Sequence, residues 1–469
     1  MDKFFKISER GSSIKTEIIA GLTTFFAMAY IIIANPNQIT DFNQAGDVGR
    51  IWNAVYVASI LVAVIGTLLM ALYANMPFAQ ACGMGLNSFF FVSFIMPNLK
   101  SGNVISGYQS GLVLILVSGF VFLLFSITGL RSKVARALPE CLKKAIPAGI
   151  GLFIAFIGFK NVGIIQTNPY TLVQFNDFHN AIVGGTFLQD SLPALLAIGG
   201  LILIAVLEAA HIKGAVLISM IGITVLFYLI TGTTPSLDLG QIGQSFKDFG
   251  EIGITGVFQA SAWKDAFTGP VVGGVLSAVM LIITFCLVDM FDTIGTLYAA
   301  ATQANLLDGN GDPIDVDKSM TCDSVATLTG AVLGTSTCTT VVESAAGVGA
   351  GGRTGFSSLV TAICLALCLF LAPLAKLIPV CATAPALIYV GVLMLKGFSK
   401  VDMDDIRSAV PAFLALIMMP LTYSISNGIG IGCIAYTLIT LCAGKYKKTD
   451  IAVTVIALLF ILRFCLITM

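Results

Sequence analysis

The chain has 469 residues, 57% of them hydrophobic and only 11% charged, with a mean hydropathy of +0.94. That balance excludes a soluble domain, which carries roughly twice the charge. Lys+Arg and Asp+Glu are 25 each, so no basic excess draws the chain to nucleic acid.

The amino terminus, MDKFFKISERGSSIKTE, is polar and basic and does not read as a cleavable signal. A helical span needs about 20 largely apolar residues. Such runs occur at 16–35, 53–73, 108–130, 145–160, 192–208 and 213–231 in the first half of the chain. A polar outer loop follows at 232–268. Further runs occupy 270–302, 355–376, 384–396, 409–425, 427–443 and 450–467. Two regions differ. Residues 77–97 (PFAQACGMGLNSFFFVSFIMP) and 334–352 (GTSTCTTVVESAAGVGAGG) are short, rich in small and hydroxyl residues, and only partly apolar, and the segment before the second, 320–333, is also short. Irregular backbone survives in a membrane only where protein buries it or it lines a water-filled space.

The two odd regions read as counterparts. Each has a cysteine near its start, Cys82 and Cys338, and each reaches a polar-serine pair, Asn87-Ser88 and Glu343-Ser344, at an offset of 256 residues. LPECLKKAIPAGIG (138–151) is echoed by IPVCATAPALIYVG (378–391) at an offset of 240, and LPALLAIGGLILIA (192–205) by VPAFLALIMMPLTY (410–423). Three echoes in one order predict an all-α polytopic membrane protein with two halves of about seven segments. An odd number of spans inverts the second half. The first repeat is 1–235, the connecting loop 236–268, the second repeat 269–449, and 450–469 an extra hydrophobic segment, either a further span or an interfacial one, with Arg463 favouring the interface. With the amino terminus in the cytoplasm, eighteen of the 25 Lys/Arg fall inside, as the positive-inside rule requires. Short strands in the interrupted segments, PFAQA and TSTCTTV, are expected to pair across the repeat interface.

Interrupted half-helices at matching places in inverted repeats mark a transporter's substrate site. Asp289 and Asp292 sit three residues apart inside an apolar segment, with Thr293 and Thr296 continuing their face. Glu343 opens the second interrupted helix, and Asn87 holds the matching place in the first. Ionisable residues in a membrane default to a functional role. Glu343 also suits its own helix start as a cap. Carboxylates accept hydrogen bonds from ring N–H and amine groups, which favours a donor-rich neutral ligand with a proton as its companion. Several motifs carry less. GVGAGG (347–352) reads as close helix packing rather than a nucleotide loop. DGNGDPIDVDKS (308–319) reads as an acidic connector rather than a calcium loop. Glu208-Ala-Ala-His211 reads as a helix end. With two histidines and eleven scattered cysteines, neither an enzyme's nucleophile–base pair nor a metal set is assembled, and no cofactor is expected.

The chain resembles the adenine/guanine/hypoxanthine permease family, the purine branch of the nucleobase–cation symporter and nucleobase–ascorbate transporter group. The resemblance runs through FKISERGSSIKTEIIAGLTTFFAMAYIIIANP (5–36), GMGLNSFF (83–90) and GIGLFIAFIGFKNVGII (149–165). It continues in LVDMFDTIGTL (287–297), GTSTCTTVVESAAGVGAGGRTG (334–355) and PALIYVGVLM (385–394). It implies a 7+7 inverted-repeat fold with core and gate domains, and proton-coupled uptake of purine bases across the plasma membrane. It implies substrate contacts at Glu343, Asp289 and Asn87, to which Ser344 and Thr293 are added as neighbours, and proton coupling at Asp292, Asp289 and Glu343. Aspartate rather than asparagine at 289 resembles the guanine/hypoxanthine members. A homodimer is expected by analogy. The rival expectation is an anion transporter or exchanger on the same fold.

Overall fold

The computed structural model describes residues 2–100, 102–128, 139–212, 214–234, 238, 240–268, 274–304, 306–307, 313–447 and 450–466. The basic connector holding Arg131, Lys133 and Arg136 lies outside them, as do residues 308–312 of the acidic connector. Nine helices among the described residues are long and apolar enough to cross a membrane, and three more apolar helices are shorter.

The first half begins with α1 (Ile14–Met28), capped by Ser13, whose Oγ accepts from the Thr16 N–H at 3.1 Å. Its span is interrupted at Ala29-Tyr30 and resumes as α2 (Ile31–Ile39), a break the apolar pattern does not announce. Then come α3 (Gly46–Leu69), β1 (Gln80–Cys82), α4 (Met84–Phe90) and α5 (Val104–Ile127). Next are α6 (Glu140–Asn161), the hairpin β2 (Ile165–Asn168) and β3 (Leu172–Phe175), α7 (Leu192–Ala209) and α8 (Ala215–Thr231). The connecting loop folds into α9 (Gly240–Asp248) and α10 (Ala260–Phe267), which pack on α3 and α5. Asp248 pins it there, accepting from Arg50 Nε at 3.3 Å and Asn53 Nδ2 at 2.6 Å.

The second half repeats the order with α11 (Val275–Ala304), α12 (Val316–Leu333), β4 (Cys338–Thr340), α13 (Ser344–Gly349) and α14 (Gly355–Leu367). It ends with α15 (Val380–Leu395), α16 (Ile406–Leu421) and α17 (Ile425–Cys442), followed by α18 (Ile451–Leu466). The contacts divide the helices into two bodies. The core holds α1 to α5 and α11 to α14. The gate holds α6 to α8 and α15 to α17.

The strands pair across the repeats as expected. β1 and β4 are antiparallel, with Gln80 opposite Thr340, Ala81 opposite Thr339 and Cys82 opposite Cys338. Backbone that leaves the helix inside a membrane must find partners in protein, and each interrupted segment supplies the other's. Cys82 and Cys338 are counterparts at the 256-residue offset, so the pseudo-two-fold axis passes between them. The 240-residue echo behaves alike in the gate. Gly151 and Gly391 face each other, and a Cβ built on Gly391 would stand 2.5 Å from the Gly151 carbonyl. Only glycine allows that crossing of α6 and α15.

α18 runs antiparallel along α17, with Phe460 against Gly430. Arg463 is half-buried and donates through Nη1 to Ser426 Oγ at 2.6 Å, while its Nε has no hydrogen-bond partner. Core and gate also meet beyond α2, where Asp41 accepts from Lys160 Nζ at 3.5 Å and Asn161 Nδ2 at 3.2 Å.

Candidate functional site

Two short helices, α4 and α13, start from the paired strands, and the first N–H groups of α13 are already spent on the carbonyls of Val341, Val342 and Glu343. Glu343 occupies the N-cap position of α13. Its side chain makes no capping bond, which corrects the capping alternative. Instead its Oε1 accepts from the Tyr30 hydroxyl at 2.5 Å, at the break between α1 and α2. Tyr389 of gate helix α15 lies within electrostatic reach of Glu343, so the carboxylate stands where core meets gate.

Asp292 lies beside the start of α4. A Cβ built on Gly83 would stand 3.9 Å from Asp292 Oδ2 and 3.7 Å from Thr337 Oγ1. Asp292 and Glu343 interact electrostatically and both keep partial exposure. Asp289 does not share that exposure. It is 1% exposed, its Oδ2 accepts from Thr327 Oγ1 at 2.8 Å, and its Oδ1 has no hydrogen-bond partner. Thr293 turns the same way, donating to Asp323 Oδ2 at 2.5 Å and bonding Thr339 Oγ1 at 2.6 Å. The residues expected on one helix face therefore divide into two layers. Asp292 belongs with Glu343, while Asp289 and Thr293 lie behind, against α12 and β4.

Asn87 and Ser344 tie the two repeats together. Asn87 donates to Gln38 Oε1 at 3.1 Å and accepts from Ser336 Oγ, both in buried surroundings. Ser344 Oγ accepts from the Ala79 N–H at 3.0 Å. Each polar-serine pair thus reaches across to the other repeat's strand region.

Sequence reasoning passed over Asp323 and Tyr30. Asp323 is fully buried and also accepts from Gln80 Nε2 at 3.3 Å. It was open to the same test as Asp289, being the one charge between Lys318 and Glu343. Tyr30 carried no such signal, because a tyrosine in an apolar span reads as packing. Asp289, Asp292, Asp323 and Glu343 form one electrostatically linked group. Among the described residues no lysine or arginine makes an ion pair with any of them. Such a group offers acceptors to a neutral donor and sites for a proton.

Comparison with known proteins agrees in fold and family. The description "Permease family" matches residues 15–431. The guanine/hypoxanthine permease PbuG of Bacillus subtilis (strain 168) is 39% identical, over 99% of this chain and 99% of its own length. The adenine permease AdeQ of Escherichia coli (strain K12) is 35% identical, over 100% of this chain and 96% of its own. Among solved structures, the transmembrane domain of the cyanobacterial bicarbonate transporter BicA aligns with a TM-score of 0.58 at 16% identity, covering 94% of this chain and 97% of that one. The inward-facing murine anion transporter Slc26a9 aligns with a TM-score of 0.62 at 11% identity, covering 93% and 69%. Those likenesses carry the inverted-repeat fold with its core and gate domains. Full-length identity to named permeases carries more: the chain belongs to the permease family, in the branch of the adenine and guanine/hypoxanthine permeases.

Proposed function

We propose that the protein imports purine bases together with protons, by movement of the core past the gate. Its amino terminus lies on the cytoplasmic side of the plasma membrane. The observation that carries this reading is the Glu343 carboxylate. It stands at the start of an interrupted helix where core meets gate, fixed by Tyr30 and free of any ion pair among the described residues. An acceptor-only group there suits the ring N–H and amino groups of a purine. Relatives named for adenine and for guanine/hypoxanthine support the purine class.

Within that class we assign the choice of oxo-purines to Asp289. Guanine and hypoxanthine present a protonated ring nitrogen that adenine lacks, and the unpartnered Oδ1 of Asp289 is an acceptor in want of one. In the present arrangement this oxygen is buried, so the assignment requires the core to open toward it when the base is bound. Asn87, Ser344 and Thr293 then act through the strands and helices they hold. Proton coupling falls to Asp292, Asp289 and Glu343. Like charges crowded into a low dielectric repel one another, so a proton taken up with the base removes one negative charge from the core before it moves.

The structural neighbours named for bicarbonate and anions share the fold only. A cluster of uncompensated carboxylates repels an anion, which disfavours that reading here. A flux assay in proteoliposomes with labelled hypoxanthine, set beside sulfate and bicarbonate, separates the two. Hypoxanthine uptake competed by guanine is expected, and anion flux without purine flux contradicts the proposal.

A further inference from the structure

If Glu343 anchors the purine, the short helix behind it must be held in place. α13 has six residues, and a helix that short has no stability of its own. Its carboxyl end is closed by Arg353, whose Nη1 donates to the carbonyls of Val348 at 2.8 Å and Gly352 at 2.7 Å. The turn that follows is gripped from α1. Glu17, 0% exposed, accepts the backbone N–H groups of Arg353 at 2.9 Å, Thr354 at 3.3 Å and Ser357 at 3.2 Å. One turn and two turns farther along α1, Ala20 and Thr24 lie against Gly347. A Cβ built on Gly347 would stand 2.0 Å from Thr24 Oγ1 and 2.7 Å from the Ala20 carbonyl. At the end of the same span Tyr30 reaches Glu343. The first span therefore follows α13 along its whole length, with Glu17 at the carboxyl end and Tyr30 at the amino end.

We propose that Glu17 is a positioning residue for the purine site. By holding three N–H groups of the 353–357 turn it fixes α13 on α1, and so sets where the Glu343 carboxylate stands beside Tyr30. A carboxylate suits the task because it is acceptor-only; an amide offers one oxygen and turns an NH₂ against donors. The inference rests on the purine reading, and the experiment separates the two. Hypoxanthine binding is measured by calorimetry on purified wild type, Glu17→Gln, Glu343→Gln and the double variant, with the unliganded melting temperature of each. Glu17→Gln is expected to weaken binding roughly tenfold, and to add less than about twofold once Glu343 is already Gln, because its effect runs through that carboxylate. A merely structural role lowers the melting temperature, leaves the two losses multiplying, and overturns the inference. Wild-type affinity in Glu17→Gln overturns it too, while the purine reading stands. A wild-type protein that binds no purine overturns the purine reading and the inference with it. Should Glu17→Gln not purify folded, Arg353→Gln, which releases the same end of α13, takes its place with the same expectations.

Discussion

Glu343 and Tyr30 form the contact on which the site turns, and each gives a distinct expectation. Glu343→Gln keeps the shape and replaces one acceptor oxygen with a donor. A hydrogen bond to a charged group contributes roughly 1.5–3 kcal/mol, so purine affinity should fall by about one to two decades, read by calorimetry. Unchanged binding removes Glu343 as anchor. Tyr30→Phe leaves the ring packed and deletes only the hydroxyl that holds Oε1. It should raise the KM for uptake by about three- to tenfold, consistent with loss of a modest positioning bond. Asp289→Asn should shift a competition profile toward adenine, because the new amide donates where the oxo-purines also donate; a profile identical to wild type takes Asp289 out of the selectivity argument. The sequence made the charged members legible by a simple test, charge inside an apolar run. That test reaches Asp323 as well, but its run is rich in hydroxyl residues and the contrast is weaker. Which way each side chain turns was not legible. One helix carries Asp289 and Asp292 three residues apart, yet packing against α12 draws the first into the layer behind.

At the scale of elements, the repeat offsets held more than the spans did. An antiparallel pair related by a two-fold axis must set one residue opposite its own counterpart; the 256-residue offset supplies the counterparts, and the strand register makes Cys82 and Cys338 that pair. The interruption of the first span at Ala29-Tyr30 was not legible, since no glycine or proline marks it. Nor was the hairpin at 165–175, which lies in a connector with no apolar period to read. The reading of GVGAGG as close packing is met at Gly347, which has no room for a side chain beside α1. Gly347→Ala should therefore destabilise the core by about 1–3 kcal/mol, the usual range for overpacking, seen as a lower melting temperature in detergent. Thr24→Ala in the same protein should restore part of the loss, because it removes the nearer of the two atoms but not the Ala20 carbonyl. No change in melting temperature with Gly347→Ala contradicts the packing described.

At the scale of the whole molecule, two bodies built from the inverted repeats meet where α4 and α11 touch α6, α2 touches α15 and α1 touches α8, with the carboxylate group on the core side of that boundary. The architecture of two halves was legible because most spans advertise themselves by hydropathy and the halves echo one another, which placed the two partly apolar segments as well. The division into core and gate came with the family resemblance alone; which helices fall in each was not legible from hydropathy, because that depends on which helices touch, and apolar segments look alike in sequence. In the proposed cycle, transport is a coupled movement of base and proton across this boundary. Its most direct test is labelled hypoxanthine uptake into proteoliposomes holding the purified protein, with the interior alkaline and no sodium present. Accumulation above equilibrium that guanine competes away and a protonophore abolishes is expected. Uptake no greater than in protein-free vesicles, or accumulation that needs sodium and ignores the pH gradient, contradicts it.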